Sequence, residues 1–158
     1  MPDWISHVML ALIITEVGKI KKKGLVVLGA LLPDFLVKIN VFSTFTNFSF
    51  TEIDWFLAPL HLPIGTFLSI FIIAPLFKEE YNRVVSLIGL GALSHYIADA
   101  TIKTLLTHNQ SMLLFPFSWE IFQLNLLWAN QWYIFMFTSV LIYILLKVKK
   151  QLSFKKLS

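Results

Sequence analysis

A histidine and an aspartate lie four residues apart in the middle of a long apolar run. The run extends from Val84 to Leu106, and the pair is His95 and Asp99. On a helix, residues four apart lie on the same face, one turn from each other. Burying both groups in a segment that is apolar enough to cross a membrane costs free energy, so the pair is predicted to have a functional role.

The overall composition is typical of an integral membrane protein. Of the 158 residues, 57% are hydrophobic and 14% are charged, whereas soluble domains average about 45–50% and about 25%. The chain has no cysteine, which excludes disulfides and thiolate metal sites. The net charge of +4 comes from short lysine clusters, which bear on membrane orientation, and no nucleic-acid partner is predicted. The start of the chain carries no positive charge cluster, so no cleavable signal peptide is predicted.

The apolar residues predict an all-α integral membrane bundle of about five helices, in a single domain over residues 1–158. The apolar segments are Trp4–Val17, Leu25–Phe42, Phe56–Phe77, Val84–Leu106 and Trp132–Val148. The first would be about 21 Å long as a helix, shorter than the roughly 30 Å hydrocarbon core, so whether it spans is left open. An aromatic loop over Asn40–Asp54 and an interfacial helical stretch over about Thr107–Asn130 complete the predicted fold. Gly89 and Gly91 are predicted to be close-packing positions.

Lysine and arginine residues predict how the bundle is oriented. They cluster after the first, third and fifth segments, and the other connections contain almost none. The positive-inside rule therefore predicts an outer N-terminus and a cytoplasmic C-terminus, with a basic tail over residues 147–158. On this topology the ionisable residues of the outer half of the bilayer are His7, Asp34, His61, His95 and Asp99. Their agreement in depth predicts a single site.

Simpler interpretations stay open for most of these residues. Asp34 and Asp99 each precede a lysine by four residues, so an ion pair on the same helix is the alternative. His7 could be an isolated interfacial histidine. His61 lies between prolines and could hydrogen-bond a carbonyl that a proline has freed. His95 has the weakest structural explanation, because Asp99 is its only charged neighbour along the segment.

The order of five short motifs resembles that of a known family. The motifs are His7, Gly29–Asp34 (Gly-x-x-x-Pro-Asp), Leu60-His61, His95–Asp99 (His-x-x-x-Asp) and Pro116-Phe117-Ser118. They resemble those of the membrane-bound metal-dependent hydrolases, also described as LexA-binding, inner-membrane-associated hydrolases. The resemblance covers most of the chain and implies a helical membrane protein with a metal-dependent hydrolase site.

The chain departs from that family's pattern at four positions. Leu36 stands where the family often has a second acid, and Phe56 stands where it often has a further histidine. Leu60 and Leu62 replace the Thr and Ser that flank the family's histidine at His61. If the family site holds two metal ions, these departures predict one ion here, or a degenerate site.

Histidines and carboxylates without thiolates predict a divalent metal ion, Zn first and Mn or Fe as alternatives, with an open position for water. The predicted ligands are His95 and Asp99 from one helix face, completed by His7, Asp34 and His61. His95, Asp99 and Asp34 are also the predicted catalytic residues. Such an ion would favour hydrolysis of a phosphoester or an ester.

A site in the outer leaflet predicts membrane lipid as the partner and a phospholipid or another amphiphile as the substrate. Lys38 or Lys103 is predicted to bind an anionic headgroup. The main alternative is a scaffold or binding protein in which the same residues form a structural metal site or a hydrogen-bonded cluster. A transporter has less support, because the sequence shows no repeat and its inner halves lack polar residues other than Glu16.

Overall fold

The computed structural model describes residues 4–38, 57, 59–103, 115–118, 120 and 123–155, without the side chains of residues 36–38, 129, 154 and 155. Within these ranges the chain is mostly helical, which confirms the all-α class. The helices are α1 (Trp4–Val17), α2 (Lys23–Lys38), α3 (Pro63–Ile73), α4 (Tyr81–Ala100) and α5 (Trp132–Lys155). The predicted loop over Asn40–Asp54 lies outside the described residues.

The third apolar segment is broken where it was predicted to be continuous. A helical stretch described at residues 57 and 59–61 is followed by Leu62 in an extended conformation, with φ −73° and ψ 155°, and α3 begins at Pro63. Proline favours the first position of a helix, because its missing N–H would have no partner there. A 3-10 turn over Ala74–Leu76 then ends the segment. The break places His61 at the end of the helical stretch before α3.

The described residues of the predicted interfacial helix, 115–118, 120 and 123–130, form turns, a strand and the start of a 3-10 turn, and the rest of that stretch lies outside the described residues. β1 (Ile102–Lys103) pairs in parallel with β2 (Leu127–Trp128), and the 3-10 turn Ala129–Gln131 leads into α5. The amide of Leu124 donates to the carbonyl of Ala100 at 2.7 Å. The last carbonyls of a helix have no donor within the helix, so the returning strand satisfies them and fixes the end of α4 beside the start of α5.

The helices alternate in direction, and one end of the bundle is basic. Glu16, at the end of α1, has a carboxylate that is only 5% exposed. Its partners are Lys23 of α2, Lys147 of α5 at 2.9 Å and Lys150 of α5 at 3.2 Å. Before α4, the Lys22 ammonium lies 2.5 Å from the Glu79 carboxylate and lowers the pKa of that carboxyl. This end therefore joins α1, α2, α5 and the start of α4.

Helices α2 and α4 pack in backbone contact. A Cβ on Gly29 would lie 1.9 Å from the carbonyl oxygen of Ile88, and one on Gly91 would lie 2.0 Å from that of Val26. The predicted close packing is thus confirmed at Gly91. Gly89 lies on another face of α4, where a Cβ would meet no atom of the described residues within 4 Å, so the described part of the chain gives the prediction no support there.

Within the described ranges, one helix is long and apolar enough to cross a membrane. It is α5, over Trp132–Ser153, and only 6% of an apolar 18-residue stretch within it is buried by protein. Helix α1, and α3 with its 3-10 turn, are apolar but shorter. Length and composition therefore support one of the five predicted spans.

Candidate metal centre

The five residues predicted from their depth lie in one buried cluster. His7 comes from α1, Asp34 from α2, His61 from the turn before α3, and His95 and Asp99 from α4. Their exposed fractions lie between 0% and 7%. At 1.5 Å per residue, Asp34 lies about 16 Å along α2 from its basic end, and His95 lies about 21 Å along α4. The cluster and the basic end around Glu16 thus occupy opposite ends of the bundle.

Asp99 lies at the centre of the cluster. Its Oδ2 lies 3.3 Å from His95 Nε2 and 3.4 Å from His61 Nε2, and its Oδ1 lies 3.6 Å from His7 Nε2. The His7 and His95 rings are stacked, with centroids 4.0 Å apart and planes inclined by 22°. One carboxylate therefore faces a ring nitrogen of each of the three histidines.

The hydrogen-bond partner of Nδ1 determines the tautomer of His95. His95 Nδ1 lies 2.8 Å from the carbonyl oxygen of Ala30 on α2, so Nδ1 carries the hydrogen and donates. In the neutral ring, Nε2 then presents a lone pair to Asp99 Oδ2. Two acceptors that face each other at 3.3 Å repel unless a proton or a cation lies between them. A backbone carbonyl on the far nitrogen is the usual way in which proteins orient a metal-binding histidine.

Several buried polar atoms of the cluster lack a hydrogen bond within the described part of the chain. They are both ring nitrogens of His7 and of His61, Nε2 of His95, and both carboxylate oxygens of Asp99. Buried polar groups are normally hydrogen-bonded, and each exception needs an explanation. A bound cation would supply the missing partner for several of these atoms at once.

The spacing of the cluster fits a metal ion. Ligand atoms about 2.0–2.1 Å from a tetrahedral zinc ion lie about 3.3 Å from each other. The nitrogen-to-oxygen distances around Asp99, from 3.3 to 3.6 Å, are close to this value and longer than the roughly 2.8 Å of a charge-assisted hydrogen bond. These histidines and carboxylates could therefore hold a metal ion.

Two sets of ligand atoms meet within 4.8 Å of one another, and they share one residue. One set is His7, His95 and Asp99, and the other is Asp34, His61 and His95. His95 has only Nε2 to offer, because Nδ1 is bound to the Ala30 carbonyl. The two sets cannot each take an ion through the same nitrogen, so the geometry favours a single ion.

Lys38 and Lys103 were predicted to bind an anionic headgroup, and the structure describes the side chain of Lys103 only. Lys38 ends α2, and its side chain lies outside the described residues. Lys103 does not continue α4: the helix ends at Ala100, and the Lys103 ammonium lies 4.4 Å from the centre of the Trp128 ring. The alternative of an Asp99–Lys103 ion pair one turn apart on a helix is therefore wrong.

Tyr96 and Thr66 belong to the site but were not predicted. The Tyr96 hydroxyl donates to the carbonyl of His61 at 2.8 Å and lies 2.6 Å from the Thr66 hydroxyl. Both residues are hydrogen-bonding groups in apolar segments, and that signal could have identified them. Ala30, which binds His95 through its backbone, left no signal in the sequence.

The geometry of the cluster is the main evidence for its function. No family model, no curated protein and no solved structure matches the chain. The resemblance to the membrane-bound metal-dependent hydrolases therefore stays a prediction.

Proposed function

We propose that this chain is a metal-dependent hydrolase with a single divalent ion in the His/Asp cluster. One observation carries the proposal: the lone pair of His95 Nε2 and the carboxylate of Asp99 face each other at 3.3 Å in a buried site. The spacing around Asp99 favours zinc, since it matches a tetrahedral ligand set. The absence of cysteine leaves imidazole and carboxylate as the donors.

The residues have separate roles in this proposal. His95 and Asp99 of the first ligand set would hold the ion, joined by His61 of the second set, whose Nε2 lies 3.4 Å from the same Asp99 oxygen. His7 faces the other oxygen of Asp99 at 3.6 Å. A divalent ion in such a site activates water and stabilises negative charge on a phosphoryl or acyl oxygen. Asp34 lies on the far side of His61, with Oδ1 3.9 Å from Nδ1, where it orients the ring or accepts a proton.

The substrate class in this proposal is an amphiphilic phosphoester or ester in the membrane. Large apolar side chains remain exposed near the site and along the helices, among them Phe35 at 58%, Leu76 at 81% and Leu141 at 57%. Phe35 directly follows Asp34 in sequence. Such exposure is typical of a surface covered by lipid. Within the cluster, His61 and Asp99 are the more exposed side chains, at 5% and 6%, so the substrate would enter on their side.

We place the cluster at the outer side of the membrane and the lysine end in the cytoplasm. The chain has no cysteine, so one introduced cysteine reports on its own position. With a membrane-impermeant maleimide on intact cells, Leu126→Cys is expected to be labelled and Lys149→Cys only after lysis. Leu126 is 69% exposed beside the end of α4, and Lys149 is exposed near the basic end. Labelling of both in intact cells, or the reverse pattern, would contradict this orientation.

The proposal predicts about one equivalent of bound metal in the detergent-purified protein. His95→Ala is expected to lose that metal, because the variant lacks the nitrogen that both ligand sets share. Ser94→Ala is the matched control, since Ser94 is buried on the same helix and its hydroxyl bonds only locally, to the Gly91 carbonyl. Elemental analysis of the three proteins gives the result. A wild type without metal would overturn the proposal.

A second measurement separates catalysis from a structural metal. A catalytic ion keeps an open coordination position, whereas a structural ion is closed by protein ligands. The cobalt-loaded wild type is therefore expected to change its absorption spectrum on addition of azide, and to release headgroups from phospholipid in mixed micelles. A spectrum that azide leaves unchanged, together with no release, would favour the scaffold alternative.

A further inference from the structure

We infer that Tyr96 is a positioning residue that sets the place of His61 in the metal site. The inference rests on the proposed function and adds to it a residue that touches no metal. Tyr96 is 7% exposed and lies directly after His95 on α4. Its hydroxyl would act on the metal through the backbone of His61.

His61 ends a helical stretch that the structure describes at residues 57 and 59–61, and the extended Leu62 separates this turn from α3. Pro59 lies in the turn and Pro63 follows it, and neither has an N–H to donate. Contacts with α3 and α4 therefore contribute to the position of His61.

Two buried hydroxyls bind the turn, that of Tyr96 from α4 and that of Thr66 from α3. The Tyr96 hydroxyl donates to the carbonyl of His61 at 2.8 Å, and the Thr66 hydroxyl donates to the carbonyl of Leu60 at 3.0 Å. The two hydroxyl oxygens lie 2.6 Å apart. The two hydroxyls have two protons for these three contacts, so one contact lacks a proton at any moment, but both hydroxyls lie against successive peptide groups of the turn.

The turn also contacts the backbone of α3 closely, at Gly65. A Cβ at Gly65 would lie 2.1 Å from the carbonyl oxygen of Pro59 and 2.7 Å from the Cα of Leu60. The turn thus lies directly on the first turn of α3, where no larger residue fits. The close contact at Gly65 and the hydrogen bonds to the carbonyls of Leu60 and His61 together restrict the position of the His61 backbone.

This arrangement links all the central ligands to one helix. Helix α4 carries His95 and Asp99 directly, and through Tyr96 it also holds His61, whose Nε2 lies 3.4 Å from Asp99 Oδ2. The phenol ring alone would fill the same space. The hydroxyl, which is buried and bonded twice, is the part that specifies where His61 lies.

Tyr96→Phe tests the inference, because it removes the hydroxyl and keeps the ring. We expect zinc affinity, measured by competition with a chelator, to fall about 10-fold, the lower end of the loss seen for groups that orient metal ligands. The absorption spectrum of the cobalt-loaded variant is expected to change, since the ligand geometry changes. Thr66→Val is expected to show the same two effects, and Ser94→Ala neither.

The outcomes separate this inference from the proposed function. If the wild type binds zinc and Tyr96→Phe binds it equally well with an unchanged cobalt spectrum, Tyr96 does not position His61. A lower melting temperature of the metal-free variant with wild-type affinity and spectrum would also overturn the inference, since it would show a purely structural role. A wild type that binds no metal would overturn the proposed function and this inference with it.

Discussion

Asp99→Asn is expected to lower metal affinity by at least about 100-fold. This loss is at or above the upper end of the roughly 10- to 100-fold loss that follows removal of a residue that only orients a metal ligand. The carboxylate faces ring nitrogens of all three histidines, at 3.3 to 3.6 Å, and a neutral amide removes its charge. Metal at about 100 times its dissociation constant stabilises a protein by about 2.7 kcal/mol. The wild type should therefore melt at a higher temperature when zinc is added, whereas the variant should not.

The metal-free Asp99→Asn protein is expected to be at least as stable as the metal-free wild type. Both carboxylate oxygens of Asp99 are buried and have no hydrogen-bond partner among the described residues, which is costly unless a cation is bound. An asparagine amide can donate to a histidine lone pair such as His95 Nε2. The scaffold alternative predicts the opposite sign. A charged hydrogen-bonded cluster would lose about 3–5 kcal/mol when one buried partner is removed.

Thermal melts of the metal-free proteins in detergent distinguish the two cases. Glu79→Gln is a suitable control, since it neutralises a carboxylate at the basic end, far from the cluster. It should leave zinc affinity unchanged. A strongly lowered melting temperature for metal-free Asp99→Asn, with no metal in the wild type, would favour the hydrogen-bonded cluster over the metal site.

Gly91→Ala is expected to destabilise the protein by about 3 kcal/mol or more, at or above the upper end of typical overpacking costs. The new methyl group would lie 2.0 Å from the Val26 carbonyl oxygen and 2.7 Å from the Ala30 nitrogen, so backbone must move. Ala30 also accepts the hydrogen bond of His95, and separation of α2 from α4 should therefore weaken metal binding as well.

Gly89→Ala is the matched control on the same helix. A Cβ there would meet no atom within 4 Å, and alanine in a helix is favoured over glycine by about 0.5–1 kcal/mol. We expect the melting temperature in detergent to rise slightly for Gly89→Ala and to fall by about 6 °C or more for Gly91→Ala. Equal melting temperatures would show that α2 and α4 do not pack as described.

Much of the candidate site could be predicted from the sequence. Ionisable residues in apolar segments are costly, so each of His7, Asp34, His61, His95 and Asp99 indicated a role without any knowledge of contacts. The lysine clusters supplied the alternating direction of the segments, and that direction placed the five residues at one depth. The helical class follows from the same apolar segments.

The breaks in the helices could not be predicted from apolar periodicity. The segment Phe56–Phe77 is uniformly apolar, yet α3 begins at Pro63 and leaves His61 on a separate turn. The described residues of the predicted interfacial helix are not α-helical: Leu127–Trp128 forms β2 beside β1, and Leu124 just before it supplies a donor to the Ala100 carbonyl at the end of α4. Both outcomes depend on neighbours that are distant in sequence.

The sequence by itself determined which residues form the candidate site, because their cost in an apolar environment is a local property. Only the tertiary structure decided how they meet. The Ala30 carbonyl selects the tautomer of His95, Asp99 faces all three histidines, and Tyr96 holds the turn of His61. These relations join atoms from separate helices, and their distances depend on backbone contact between α2 and α4 at Gly91. The sequence indicated close packing at Gly91, but the partner helix and the distances are properties of the tertiary structure alone.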